Sequence, residues 1–206
     1  MKQTRPVRTL FCVMDLHGDL GDNEAELWLR ACRDDGEGFA QLFDLHHHRV
    51  FSRALGLAQN RHDAEDLTAA AFFELWRKRR SVRVVKGSIL PWLLVTTVNL
   101  ARNGHRSTVR YERFLRTMPR AEHVDGPDAE PWETRRRLVA SLAELAPIDS
   151  ALFVLTALEG LPMAEAAEAL GLKPSTARVR LHRARVRLRG ELHDLNPTAR
   201  PAEGTS

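Results

Sequence analysis

A run of arginines between Lys173 and Arg189 is the part of this chain whose residue types most directly predict chemistry. No acidic residue interrupts the run, and at about 100° per residue Ala177, Leu181 and Ala184 share one narrow stripe that must face a core. Side chains on the opposite face can reach base edges in a DNA major groove, while guanidinium groups bind phosphates. The candidate DNA-contacting residues are Ser175, Thr176, Arg178, Val179, Arg180, His182, Arg183 and Arg187.

The residues that precede this basic helix predict a helix-turn-helix. Ala167 is small where two helices must approach closely, Gly171 can take the positive φ of a tight turn, and Leu172 points back to the core. The alternative is an ordinary bundle helix with a solvated basic face, which the turn residues and the one-sided charge disfavour. The segment from Leu161 to Arg189 is therefore expected to read double-stranded DNA.

The elements that must position this motif are helices throughout. Apolar positions recur at helical spacing and alternating β-branched runs are nearly absent, so the fold class is all-α. Two small helical domains joined by a flexible linker are expected, the C-terminal one being the helix-turn-helix domain of four helices separated by proline and glycine. The expected boundaries are a poorly ordered extension at 1–23, a first domain at 24–116, a linker at 117–131, a second domain at 132–192 and a tail at 193–206.

Composition narrows the class of protein. A chain of 206 residues with a formal net charge of +4 weakly favours an anionic partner. Cys12 and Cys32 form no CxxC pair, which argues against a four-thiolate zinc site and fits a reducing compartment. No apolar run approaches the roughly 20 residues that span a bilayer, and no signal peptide is recognised, so a cytoplasmic location without membrane insertion is expected. Met14 is a candidate start, because residues 1–13 show no helical pattern.

Enzymatic and metal-site patterns are not found in the sequence. The histidines at 46–48 are neighbours that point around a helix rather than converging on one ion, so they are expected on a solvated face. Neither a glycine-rich phosphate loop nor a nucleophile elbow occurs. We expect no catalytic residue, metal or cofactor.

Two segments of the first domain carry further motifs. Residues 63–67 (DAEDL) predict a helix with an acidic first turn that runs to Trp76, and residues 91–103 (PWLLVTTVNLARN) predict a helix with an aromatic, two amides and a basic end. Together with residues 181–185 (LHRAR), this arrangement resembles the bacterial RNA polymerase sigma factors of the extracytoplasmic-function group, in the sigma-70 family. The resemblance covers about Glu24 to Leu192.

The resemblance implies two roles for the first domain. One is docking of the acidic helix on the coiled coil of the largest polymerase subunit, through Asp63, Glu65, Asp66, Phe73 and Trp76. The other is reading the −10 promoter strand after melting, since an unstacked base needs an aromatic surface and amides that pair with its edge. The −10 candidates are Trp92, Asn99, Arg102, Asn103 and Arg106.

Other parts of the chain complete the interpretation. The loop from Val82 to Ser88, with Arg83 and Lys86, is expected to shape a pocket for a flipped base, and the helix-turn-helix is expected to bind the −35 element. Trp92 fits a core position equally well. The partners implied are core RNA polymerase and promoter DNA, and the sequence leaves open whether an anti-sigma protein binds.

Two other classes stay open at this point. One is a dimeric helix-turn-helix regulator that does not engage polymerase, its first domain serving for association. The other is a degenerate sigma-like adaptor that binds polymerase without starting transcription, because Ala69 and Ala70 stand where the family usually has polar residues.

Overall fold

The computed structural model describes residues 19–115 and 130–192, and the named elements in these ranges are all helical, which confirms the all-α class. A 3₁₀ turn, Arg79–Ser81, and a π-helical turn, Val154–Leu158, continue the third and sixth helices. None of the described helices combines the length and apolar composition that crossing a bilayer needs. The helices are α1 (Asp19–Cys32), α2 (Gly36–Leu55), α3 (Arg61–Lys78), α4 (Leu90–Leu115), α5 (Glu130–Glu144), α6 (Pro147–Phe153), α7 (Met163–Ala169) and α8 (Pro174–Glu191).

The first helical domain packs α1 to α4 around one apolar core. Leu42 of α2, Leu75 of α3 and Leu93 of α4 are fully buried at its centre, and Trp28 joins them from α1. Helix α1 begins at Asp19, inside the range 1–23 that was assigned to an extension. Met14 and the rest of the extension lie outside the described residues.

The acidic helix α3 begins two residues earlier than its sequence pattern indicated. Asn60 caps it, since the side-chain oxygen accepts a hydrogen bond from the backbone N–H of Asp63 at 2.8 Å. A capping oxygen satisfies a backbone donor that the first helical turn leaves without a partner. Asp63 therefore stands in the first turn, where its negative charge interacts favourably with the helix dipole.

A buried polar pair corrects the expectation for the histidine run. His46 is 5% exposed and its Nε2 lies 2.8 Å from Oε1 of Glu24, which is 7% exposed. The same Glu24 oxygen accepts the backbone N–H of Ile89 at 2.7 Å. His46 is thus a core residue that joins α1, α2 and the start of α4, whereas His47 is half-buried against Phe51 and only the third histidine is exposed.

The second domain contains the four predicted helices, α5 to α8. Gly171, with φ +67°, makes the turn between α7 and α8, and the N–H of Leu172 donates to the carbonyl of Ala167 at 2.8 Å. Ala167 is fully buried, as the close approach of two helices requires. Pro174 occupies the first turn of α8, where the proline ring costs no hydrogen bond. The helix-turn-helix geometry follows from these residues.

Helix α4 belongs to both domains. Leu93 faces the first core, whereas Leu94 packs with Leu152 of α6 and Val98 packs with Leu142 of α5. A helix that is apolar on two faces must bury both, and here the second face is buried by the second domain. The two domains therefore share a continuous apolar contact, although the linker predicted at 117–131 lies mostly outside the described residues.

Candidate nucleic-acid and polymerase interfaces

Helix α8 presents one buried and one open face. The predicted stripe is confirmed, because Ala177, Leu181, Ala184 and Leu188 are at most 3% exposed. The first turn contains no acidic side chain, and its unpaired backbone N–H groups give this end a partial positive charge. The candidates that lie on the open face are Ser175, Thr176, Arg178, Val179, His182, Arg183 and Arg187.

Two of the eight candidate DNA residues already bind carboxylates. Nε of Arg180 donates to Oδ1 of Asp149 at 2.7 Å, which ties α8 to α6. Nε of Arg187 donates to Oε1 of Glu191 at 3.0 Å within the same helix. Arg180, which is half-buried, therefore orients the helix, while Arg183 stays exposed and available to a base edge.

The loop before α4 forms a tight turn. Val85 and Ser88 exchange two backbone hydrogen bonds of 3.0 Å, and the two residues between them, Lys86 and Gly87, have φ of +48° and +77°. Positive φ at both central positions is typical of a type I′ turn, which glycine adopts without strain. The turn holds Lys86 on the surface, where its side chain is 68% exposed.

Arg102 is buried against the second domain. It is 3% exposed, and its guanidinium donates to the carbonyls of Leu142 at 2.7 Å and Leu145 at 2.6 Å at the end of α5. Burial, and then the charge of Arg106, lower the pKa of Arg102, although a guanidinium stays protonated in proteins. The predicted DNA contact of Arg102 is not available in this arrangement, and it requires the two domains to separate.

The other −10 candidates differ in accessibility. Asn103 and Arg106 are exposed, although Arg106 also donates to the carbonyl of Ala143. Asn99 is half-buried, and its oxygen accepts a bond from Arg102 at 3.3 Å. Trp92 is half-buried against the first core, which supports the interpretation of this residue as a packing residue.

The candidate polymerase surface is the outer face of α3. Phe73 is 65% exposed there, and the carboxylates of Glu65 and Asp66 are exposed beside it. Asp63 is half-buried in the capped first turn. Trp76 instead faces inward, with its ring 5.0 Å from the ring of Phe39 and the guanidinium of the following 3₁₀ turn stacked over it. The face therefore offers one large apolar side chain, with carboxylates toward the start of the helix and cations toward its end.

Two comparisons relate this geometry to known families. The family model described as Sigma-70 region 2 matches residues 42–111, and the model described as Sigma-70, region 4 matches residues 135–188. The chain belongs to the sigma-70 family. The region 2 match contains every candidate −10 and polymerase residue, and the region 4 match contains every candidate −35 residue.

Sequence relatives place the chain in the extracytoplasmic-function group of that family. It is 33% identical over 157 residues to the ECF RNA polymerase sigma factor SigE of Mycolicibacterium smegmatis, covering 74% of this chain and 60% of that relative. It is 31% identical over 161 residues to the RNA polymerase sigma factor CarQ of Myxococcus xanthus, covering 77% of this chain and 91% of CarQ. The chain thus spans less than two thirds of SigE and most of CarQ.

Among solved structures, the fold is similar to that of CnrH in its complex with the cytosolic domain of CnrY. The TM-score is 0.53 at 22% identity, and the match covers 85% of this chain and all of CnrH. This likeness shows the helical fold.

The sequence did not indicate the residues that hold regions 2 and 4 together. Glu159 follows the π-helical turn and its side chain is 3% exposed, enclosed by Arg49 and Arg53 of α2. Its partners lie 110 and 106 residues away along the chain. Helical periodicity reports only neighbours on the same helix, so no local signal could have paired them.

Proposed function

We propose that this chain is a sigma factor that binds core RNA polymerase and directs promoter-specific initiation of transcription. The observation that carries the proposal is the presence of a region 2 and a region 4 in one chain, the latter with a recognition helix whose outer face is open. The sigma factors SigE and CarQ are relatives in sequence. Such a factor acts where polymerase and DNA are, in the cytoplasm, and supplies no catalytic group of its own.

Region 4 is assigned to the −35 duplex. In this assignment the N-terminal turn of α8 lies at the phosphates, with Ser175 and Thr176 donating hydrogen bonds. Arg183 pairs with the O6 and N7 acceptors of a guanine, and Val179, 52% exposed, contacts a thymine methyl group. Arg180 positions the helix through its bond to Asp149.

Region 2 is assigned to the −10 element. The amides of Asn99 and Asn103 carry the donors and acceptors that an unpaired base edge requires, and the 82–88 turn lies at the start of the same helix. Exposed Arg106 supplies a cation for the neighbouring phosphates. Strand opening is driven by the free energy of capturing the unstacked bases, so no metal or cofactor takes part.

Docking on polymerase is assigned to α3. Phe73 is the anchor, because it is 65% exposed and aromatic side chains are enriched at the centres of protein interfaces. Glu65 and Asp66 add negative charge for a basic partner surface. CnrH was solved with a bound protein domain, and an anti-sigma protein is the further class of partner that we propose for this chain.

Run-off transcription with purified core polymerase and genomic DNA fragments tests the proposal. We expect transcripts with discrete starts that appear only when the chain is present. Protection of promoter DNA by the chain without transcripts would instead identify a dimeric regulator. Polymerase binding without discrete transcripts would identify an adaptor, and Phe73→Ala provides the control for binding through α3.

A further inference from the structure

Region 4 covers the cationic side of region 2. We call the contact between them the interdomain interface. In the hydrogen bonds and ion pairs named below, region 2 supplies cations and region 4 supplies acceptors. The cations are Arg49, Arg53, Arg83, Lys86, Arg102 and Arg106, and the acceptors are the carboxylates of Glu159 and Glu165 with the carbonyls of Leu142, Ala143, Leu145, Leu158 and Glu168.

One end of the interdomain interface is closed by Glu159. Its Oε2 lies 3.1 Å from Nη2 of Arg49, and its Oε1 accepts a bond from Nε of Arg53. Nη2 of Arg53 also donates to the carbonyl of Leu158 at 3.1 Å. With 3% of its side chain exposed, Glu159 depends on these two guanidinium groups, because a buried carboxylate without partners is strongly unfavourable.

The helix-turn-helix itself lies on the 82–88 turn. Nζ of Lys86 is 2.6 Å from Oε1 of Glu165, and Nη1 of Arg83 donates to the carbonyl of Glu168 at 2.9 Å. A Cβ added at Gly171 would lie 2.9 Å from the same nitrogen of Arg83. Helix α7 and the turn that precedes the −35 recognition helix therefore contact the loop assigned to a flipped −10 base.

A third group of contacts is made by the carbonyl end of α5. Arg102 and Arg106 donate to carbonyls of its last turn and of the residue that follows. This end of a helix carries partial negative charge. Region 4 thus presents to region 2 what a DNA backbone presents, namely anionic and partly negative oxygens that accept charge-assisted hydrogen bonds.

We infer that region 4 is an internal competitor of DNA for region 2. In the closed chain, in which the two regions are in contact, region 4 contacts the 82–88 turn and buries Arg102. Region 2 therefore binds DNA only after the two regions separate. The inference rests on the proposed sigma function for its biological meaning, since it names how the −10 surface is kept inactive. Polymerase favours the open chain if its binding requires the two regions to be apart.

A carbodiimide cross-link measures the closed chain directly. The reagent converts the Glu165 carboxylate into an O-acylisourea, the Lys86 amine displaces the urea and loses a proton, and an amide joins the two regions. Lys78 and Glu74 lie 2.9 Å apart within α3 and provide an internal control that domain opening leaves unchanged. Peptide mapping is simple, because Lys2 and Lys173 are the remaining lysines.

The free chain is expected to yield both cross-links. The 86–165 product should fall several-fold between about 0.05 and 0.5 M salt, because the pair is exposed enough to be screened. It should also fall when core polymerase and promoter DNA are added, and by clearly more than the 74–78 product, whose helix itself contacts polymerase in the proposed function. Absence of the 86–165 product in the free chain, or an equal yield in the transcribing complex, would overturn the inference.

Glu159→Gln tests the competition with DNA. It removes the charge that holds Arg49 and Arg53 but keeps the side-chain volume. Glu26→Gln is a matched control, because Glu26 is exposed on α1 and takes no part in the contacts of the interdomain interface. A short fluorescein-labelled single-stranded DNA of mixed sequence should bind the free Glu159→Gln chain about threefold to tenfold tighter, because apparent affinity rises with the open fraction. Equal affinity of both variants would contradict the inference.

The two proposals can fail separately. If Glu159→Gln does not fold, as judged by circular dichroism, the loss of the 86–165 product in the unmodified chain on addition of core polymerase and promoter DNA still decides. A cross-linked free chain that never supports run-off transcription would reject the sigma function and leave the closed state intact. A chain that supports run-off transcription but gives no 86–165 cross-link when free would keep the sigma function and reject the closed state.

Discussion

Replacing Arg183 by alanine isolates one base contact of the recognition helix. Arg183 is exposed on α8, and no hydrogen bond or ion pair described within the chain involves it, so its removal should leave the melting temperature unchanged. A bidentate contact to guanine contributes about 1–3 kcal/mol of discrimination. At about 1.4 kcal/mol per factor of ten, this corresponds to a loss of roughly 5-fold to 150-fold.

The assay is promoter binding by the reconstituted holoenzyme, measured with each of the four base pairs at the contacted position. We expect the variant to lose affinity for the cognate base pair and to discriminate little among the four. Arg189→Ala is a matched control, because Arg189 is exposed in the last turn of the same helix and is not among the candidate base-reading residues. A loss of equal size on all four promoters would show that Arg183 contacts phosphate and would refute the base-reading role.

Four other predictions concern separate parts of the molecule. Phe73→Ala should weaken polymerase binding by at least about 1 kcal/mol without changing the melting temperature, whereas Trp76→Ala should lower the unfolding free energy by about 2–3 kcal/mol, measured by urea titration. Gly171→Ala should destabilise the chain by about 1 kcal/mol or more, because φ of +67° strains any residue with a Cβ; an unchanged transition midpoint would contradict this. Two cationic neighbours on α3 lower the pKa of Glu74 from 4.5 to about 2. The unfolded chain therefore binds more protons than the folded one, and this stabilisation is complete above pH 4.5 and lost as the pH falls toward 2. Glu74→Gln should flatten that part of the acid-unfolding curve, and an unchanged slope would exclude the contribution. Asn99→Ala should leave duplex binding intact yet reduce open-complex formation, scored by permanganate reactivity of unpaired thymines, and full reactivity would reject its role.

Local patterns predicted the parts of the fold that depend on neighbouring residues. The buried stripe of α8 follows from helical periodicity, and the turn at Gly171 follows from the one residue type that takes positive φ without strain. The apolar residues of α4 indicated that it is buried. They did not indicate that its second face, including Leu94 and Val98, packs against region 4.

The positions of His46 and Arg102 depend instead on partners that are distant along the chain. His46 was assigned to a solvated face because three successive histidines point around a helix rather than converging on one ion. Glu24, 22 residues earlier, makes burial of His46 favourable by accepting its hydrogen bond. Arg102 was assigned to the −10 strand through the family resemblance, which places it at the basic end of the helix that reads the melted strand. Its actual acceptors are carbonyls about 40 residues later at the end of α5.

Because helix α4 packs against both regions, the separation of the two regions is expected to depend on temperature. Separating the two regions exposes Leu94, Val98, Leu142 and Leu152 to water, so opening carries a positive change in heat capacity. Apolar contacts weaken on cooling, whereas hydration of the released guanidinium and carboxylate groups becomes more favourable. The same chain is therefore expected to open more readily in the cold, and the fraction available to polymerase at a fixed concentration should depend on growth temperature.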